Sequence, residues 1–155
     1  MKIAAALAVA AASLALLAPT ASANTALDNL AADLVGQPTA VRCDPIDASG
    51  LRAGDTQLDE HWVRLYGYCP ALVRSFRGDY SKWRDLGTAA LVLTHEAVHQ
   101  RLQSADEGLV ECTAVRNVWR TVRLLHLPPR VERLVYAAAL DSHARIHDPR
   151  YRAVC

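Results

Sequence analysis

Hydrophobic residues recur at helical spacing near the start of the chain. Leu27, Leu30 and Leu34 occupy positions i, i+3 and i+7, and Gly36 and Pro38 follow closely. Residues at this spacing lie on one face of a helix, and glycine followed by proline commonly ends one. The pattern predicts a short amphipathic helix that opens the domain.

One later segment alternates with a period of two instead. In WVRLY (residues 62–66), successive side chains would point to opposite faces of a strand, with Val63 and Leu65 on the same apolar face. One strand cannot form a sheet, and a partner is expected from about residues 39–42. This gives one short hairpin at most. A helical turn or two is expected after the strand, over residues 70–76.

Three further helices are predicted in the second half of the chain. The first covers about residues 87–103. The second begins at Ser104-Ala105-Asp106-Glu107, which has the S-x-x-E form of a capping box, and two prolines end it after about His126. The third covers about residues 130–147 and ends before Pro149, because the residue preceding a proline is disfavoured in a helix.

The first 23 residues have the pattern of an export signal. Lys2 gives a positive start, residues 3–18 are apolar except for Ser13, and Thr20-Ala21-Ser22-Ala23 is a small-residue cleavage site. The segment is too short to span a membrane, and no later segment approaches the roughly 20 apolar residues that a span requires. The sequence predicts a signal peptide over residues 1–23 and a single secreted or extracytoplasmic domain over residues 24–155.

Charge and cysteine content narrow this prediction. Without Lys2, 16 basic residues balance 16 acidic ones, which gives no indication of a nucleic-acid or membrane partner. Four cysteines in an exported chain favour two disulfides, and none of the spacings is the C-x-x-C of a zinc cluster. Of the three possible pairings, we favour Cys43 with Cys69 and Cys112 with Cys155.

The segment LVLTHEAVHQ carries the most specific chemical signal. His95 and His99 are four residues apart, so on a helix both rings project from one face and can bind one zinc ion. Glu96 lies about 100° round the helix from His95, beside the metal rather than on it. A carboxylate there can take a proton from metal-activated water, which predicts Glu96 as a general base.

These residues resemble the HExxH zinc metallopeptidases, the zincins. The positions around the motif that are usually uncharged or apolar comply at Val92, Leu93, Ala97, Val98 and Gln100 and depart from the pattern at Arg101. The metzincin pattern fails, because Leu102 and Ala105 stand where its glycine and third ligand would be. The resemblance implies a gluzincin-like arrangement, in which the next helix supplies a glutamate.

Two glutamates of that helix are candidates for the third ligand. Counted from a turn near Ser104, Glu111 is level with the midpoint of the two histidines, which favours Glu111. In gluzincins, however, a first acidic residue often binds zinc and a second, four residues later, supports a histidine ring. That pattern would make Glu107 the ligand and Glu111 its support, unless Glu107 serves only the capping box.

The fold expected is a small, mainly α domain in which the HExxH helix packs against the following helix, stapled by disulfides. The function expected is that of a secreted zinc-dependent hydrolase, a small metallopeptidase acting on a peptide or protein substrate. The alternatives are a hydrolase of another amide and a non-catalytic, zinc-stabilised binding or scaffold protein. The strings LTHEAVH and DEGLVEC, with a cysteine near the C-terminus, are also similar to small secreted actinobacterial proteins of unassigned function.

A second histidine pair and the oxyanion-stabilising residue are less well defined. His143 and His147 are also four residues apart, but no glutamate lies between them, and histidines near a helix C-terminus are favoured by the helix dipole. One of this pair, His126 or Tyr136 is a candidate for stabilising a developing oxyanion. The sequence does not select among them.

Overall fold

The computed structural model describes residues 19–47 and 52–151, with side chains from residue 24 onward. The protein is mainly helical with a small sheet, which confirms the predicted fold class. In chain order the elements are α1 (Pro19–Val35), β1 (Ala40–Asp44), β2 (Gly54–Thr56), β3 (Trp62–Tyr66), α2 (Cys69–Phe76), α3 (Trp83–Leu102), α4 (Glu107–Leu124), α5 (Pro129–Ala144) and a terminal 3-10 turn (Pro149–Tyr151).

Helix α3, which carries the two histidines of the motif, forms the centre of the domain. It begins at Trp83, four residues before the predicted start, and contacts the other four helices as well as β2 and β3. Thirteen of its 20 residues are buried, so it has no continuous solvent face. The buried set includes His95, Glu96, His99 and Gln100, and buried polar side chains require partners in the surrounding elements.

Helix α5 approaches α3 closely at Gly87. A Cβ atom at this position would overlap Ala138 and the backbone of α5 at Val135 and Ala139. The absence of a side chain therefore allows the two helices to pack backbone against backbone. This contact fixes α5 beside the histidine helix.

The sheet has three strands in the order β1-β3-β2. The predicted strand Trp62–Tyr66 is confirmed as its central strand, and the expected partner near residues 39–42 is confirmed as β1, which pairs with β3 in parallel. Because β1 and β3 are parallel, they do not form the expected hairpin, and β2 is an additional strand that pairs with β3 in the antiparallel sense. Strand β2 has only three residues, Gly-Asp-Thr, without apolar alternation, so hydrophobic pattern could not predict it.

The predicted disulfide between Cys43 and Cys69 is confirmed, with a Cα–Cα distance of 5.7 Å. It ties β1 to the start of α2. The other proposed pairing, Cys112 with Cys155, stays a prediction because Cys155 lies outside the described residues.

Helix α1 buries Leu27, Leu30 and Leu34, as the spacing predicted. Most of the proposed signal peptide, residues 1–18, lies outside the described residues. Within the described ranges, no helix has both the length and the apolar character needed to cross a membrane.

Candidate metal centre

His95 and His99 project from the same face of α3, one turn apart. Their ring centroids are 4.7 Å apart, and only 8% of His95 and 7% of His99 is exposed. Two imidazoles buried side by side cannot both be satisfied by water, so their four ring nitrogens need partners within the protein. The neighbouring helix α4 and the turn that precedes it provide most of these partners.

Three atoms from the two helices converge at the centre of the group. The Nε2 atoms of His95 and His99 are 3.0 Å apart, and Oε2 of Glu107 lies 3.1 Å from the first and 3.3 Å from the second. Ligands 2.0 to 2.1 Å from a tetrahedral zinc ion are separated from each other by about 3.3 Å. The three residues could therefore hold a metal ion with little movement.

The outer nitrogens of the two rings fix which nitrogen faces this centre. His99 Nδ1 donates to the carbonyl oxygen of Ser104 at 2.7 Å, and His95 Nδ1 donates to Oε2 of Glu111 at 2.7 Å. Because both acceptors lack protons to give, each Nδ1 carries the hydrogen, and each neutral ring turns a lone pair on Nε2 inward. Two nitrogen lone pairs and a carboxylate oxygen then face one another, which is a donor set for a cation.

In the metal-free group a proton can take the place of the cation. Burial lowers the pKa of His95, but the hydrogen bonds to Glu107 and Glu111 outweigh it and raise the pKa to about 9. The hydrogen bond from His95 in turn lowers the pKa of Glu107. The electrostatics of the group thus favour a positive charge between the ring of His95 and the Glu107 carboxylate.

The predicted capping box at Ser104 is wrong. Glu107 therefore does not cap the helix, and its carboxylate is available to the two histidines. The N-cap of α4 is Asp106, whose Oδ1 accepts from the backbone N–H of Leu109 at 3.0 Å. Ser104 precedes the helix and accepts from the Asp106 N–H instead. Glu107 is consequently the first residue of the helix, with no capping partner to reach back to, and its side chain turns to the histidines.

Glu111 was favoured as the third ligand because its distance from the turn matched that of the two histidines. In the structure it instead accepts a hydrogen bond from Nδ1 of His95, on the opposite side of the ring from Nε2. It is 2% exposed, and its second oxygen accepts from Nδ1 of His143 on α5 at 2.6 Å. Burial raises the pKa of Glu111, but the hydrogen bonds from His95 and His143 outweigh it, so this pKa lies below its ordinary value. Both carboxylate oxygens are therefore occupied by imidazole N–H groups, and the geometry favours Glu107 as the ligand.

Glu96 is buried beneath strand β2. It is 6% exposed, and burial raises its pKa to about 8. Gly54 lies directly against it, since a Cβ atom at that position would overlap the Glu96 carboxyl group. A cation held by the neighbouring His95, His99 and Glu107 would lower this pKa and favour the ionised carboxylate.

Two residues that sequence reasoning did not single out as functional also contribute to the site. Tyr151 lies over His95, with ring centroids 5.6 Å apart, and its irregular 3-10 turn gives no periodic signal from which this position could be predicted. Gln100 follows His99 and donates from Nε2 to Thr56 at 2.6 Å and to the carbonyl of Glu60 at 2.7 Å. These hydrogen bonds join α3 to strand β2 and to the connection between β2 and β3.

The sequence candidates for an oxyanion donor lie elsewhere or have another partner. His143 is bonded to Glu111, and the ring of Tyr136 packs edge-on against Trp119 at 5.0 Å. His126 follows the C-terminal end of α4, while Glu107 and Glu111 belong to its first two turns.

In the candidate metal group the side chains of His95 and His99 are 10% and 9% exposed, and that of Glu107 is 32% exposed. Two cavities between described residues are lined by other parts of the chain, one including Leu58, His61 and Gln103 and the other Asn29, Ala32 and Pro38.

Comparisons of the chain with known protein families, with curated proteins and with solved structures found no significant match.

Proposed function

We propose that this protein is a zinc-dependent hydrolase that cleaves peptide bonds. The observation that carries the proposal is the triangle formed by the Nε2 atoms of His95 and His99 and Oε2 of Glu107, with sides of 3.0 to 3.3 Å. Three nitrogen and oxygen ligands suit zinc, and a three-ligand protein site leaves one tetrahedral position for water or substrate, as in catalytic zinc sites. When bound there, zinc supplies a nucleophile from water at neutral pH and polarises a carbonyl oxygen.

Residues of the chain transfer the proton and orient the metal ligands. Glu96 accepts the proton of the attacking water and then gives it to the amine nitrogen as the carbon–nitrogen bond breaks. Glu96 is buried and packs directly against Gly54, and this packing keeps its carboxyl group beside the proposed metal ligands. The carbonyl of Ser104 and the carboxylate of Glu111 hold the two imidazole rings in the orientation that presents Nε2.

Tyr151 is the candidate for stabilising the developing negative charge on the substrate carbonyl. Burial and the charge of Glu107 raise its pKa above the ordinary value, so the phenol keeps its proton and can donate a hydrogen bond. Its ring already lies against His95. A preorganised donor of this kind, aimed where charge develops, is a common contribution to catalysis of acyl transfer.

Two features support the proposed compartment. The Cys43–Cys69 disulfide suits an oxidising compartment, and with the signal-like residues 1–23 it supports export from the cytoplasm. The substrate proposed is a peptide or protein, and an amide of another kind is the closest variant of the same chemistry.

A second candidate function is a non-catalytic binding or scaffold protein that uses zinc to stabilise its fold. The burial of His95, Glu96 and His99, each no more than 8% exposed, favours it, because a substrate must reach the metal before it can be cleaved. Catalysis would therefore require the β2 segment or the turn at Tyr151 to move on substrate binding.

Metal analysis of the purified protein, wild type beside Glu96→Gln, followed by a broad peptide-cleavage assay on both, separates these functions. We expect about one zinc ion per chain in each, and cleavage by the wild type at least about 100-fold faster than by the variant. Zinc in both without cleavage by either would favour the scaffold. No zinc in either after reloading would refute both functions.

A further inference from the structure

We infer that His143 is a positioning residue of the metal centre, which acts on the ligand His95 through the carboxylate of Glu111. The inference rests on the proposed metal binding and adds a third helix, α5, to the site. Its basis is a chain of two short hydrogen bonds, from His143 Nδ1 to Oε1 of Glu111 at 2.6 Å and from His95 Nδ1 to Oε2 at 2.7 Å.

The position of His143 follows from the periodicity of α5. Val135 and Ala139 are buried on the face of α5 that meets α3, and His143 follows at the next spacing of four. The side chain of His143 is 26% exposed, so it lies where the helix interface opens toward solvent. The proposed partner His147 is not on the helix, which ends at Ala144 rather than near residue 147, so the two histidines do not share a helix face.

Glu111 needs His143 because a buried carboxylate with one empty oxygen is unstable. The side chain of Glu111 is 3% exposed, and Nδ1–H groups occupy both of its oxygens. Without His143, Oε1 would be buried without a donor, and the carboxylate would rotate toward another partner. This rotation would weaken the bond to His95 Nδ1, which holds that ring with Nε2 facing His99 and Glu107.

The first test is zinc affinity, measured by competition with a chromophoric chelator. We expect His143→Ala to weaken zinc binding by about 10- to 100-fold. His143→Asn should bind within a few-fold of wild type, because its side-chain amide can donate to Glu111 from nearly the same place as Nδ1. The matched control is His126→Asn, since His126 is exposed and its positive φ of 51° is one that asparagine tolerates.

A double-mutant cycle tests whether the effect passes through Glu111. In a Glu111→Ala background, His143→Ala should cause no further loss of zinc affinity. The visible absorption of the cobalt-substituted protein gives an independent readout, and we expect it to change in His143→Ala and to be restored in His143→Asn.

The outcomes separate this inference from the proposed function. Wild-type zinc affinity in His143→Ala would overturn the inference and leave the metal centre intact. Equal losses in the alanine and asparagine variants, together with equally lowered melting temperatures, would indicate a purely structural histidine and also overturn it. A wild-type protein that binds neither zinc nor cobalt would overturn both.

Discussion

Glu111 accepts a hydrogen bond from Nδ1 of His95 at 2.7 Å and does not bind the Nε2 atom, which faces Glu107. The two nitrogens of one imidazole thus bind two carboxylates from successive turns of α4. Only the carboxylate on the Nε2 side is placed to share a metal ion with His99. The two glutamates are therefore expected to respond differently to substitution.

The first prediction concerns this difference. Glu111→Gln should weaken zinc binding by about 10- to 100-fold, because it removes the charge that supports His95. Glu107→Gln should weaken it further, because the negatively charged oxygen ligand is replaced by a neutral amide, whose oxygen binds zinc more weakly. Chelator competition on the two variants gives the order, and a larger loss for Glu111→Gln would mean that Glu111 is the ligand.

A second prediction concerns Tyr151. Tyr151→Phe keeps the ring over His95 and removes only the hydroxyl, so zinc content should be unchanged while kcat falls by about 10²- to 10³-fold. Tyr136→Phe is the matched control, because the ring of Tyr136 packs edge-on against Trp119. Steady-state kinetics on a cleaved peptide measure both, and an unchanged kcat in Tyr151→Phe would exclude the phenol from the reaction.

A third prediction concerns the absence of a side chain at Gly54. Gly54→Ala would drive a methyl group into the Glu96 carboxyl group, so we expect loss of cleavage with zinc content retained. Gly78→Ala serves as the control, since no atom of the described residues lies within 4 Å of its added carbon and its φ of 77° costs only local strain. If both variants lose stability alike and keep their activity, Gly54 does not position Glu96.

The fourth prediction is a pH dependence of the metal-free protein. The pKa of His95 is raised to about 9, so the stability that its protonated form contributes is present below its unfolded pKa of about 6.5 and is lost as the pH rises through 9. The raised pKa of Glu96, about 8, acts in the same direction from its unfolded value of 4.5 upward. The melting temperature should therefore fall between about pH 6.5 and pH 9.

Zinc should reverse this trend, because binding releases the proton of His95 and lowers the pKa of Glu96. We expect zinc affinity to increase with pH over the same range. Melting curves of the chelator-treated and zinc-loaded protein across this range test both statements. Parallel curves for the two forms would contradict a metal site at His95.

Much of the architecture could be predicted from local patterns. The alternation in residues 62–66 and the i, i+3, i+7 leucines of α1 each describe one buried face, which short segments encode by themselves. Strand β2 was not predicted because Gly-Asp-Thr has no alternation of apolar and polar residues. The strand is stabilised instead by pairing with β3 and by the hydrogen bond from Gln100 to Thr56. The helix boundary at Ser104 was mispredicted because serine and aspartate are both good N-cap residues, and in the structure Asp106, two residues later, caps the helix.

The sequence alone determined that His95 and His99 share a helix face and that Glu96 lies beside them, because these relations depend only on spacing within one helix. That the acidic partners come from the following helix was implied by the resemblance to gluzincins. Tertiary structure decided the rest. Ring rotation sets which nitrogen of His95 meets Glu107 and which meets Glu111, and the packing of α5 at Gly87 brings His143 to the same carboxylate. Such contacts join residues far apart in the chain, and no local pattern specifies them.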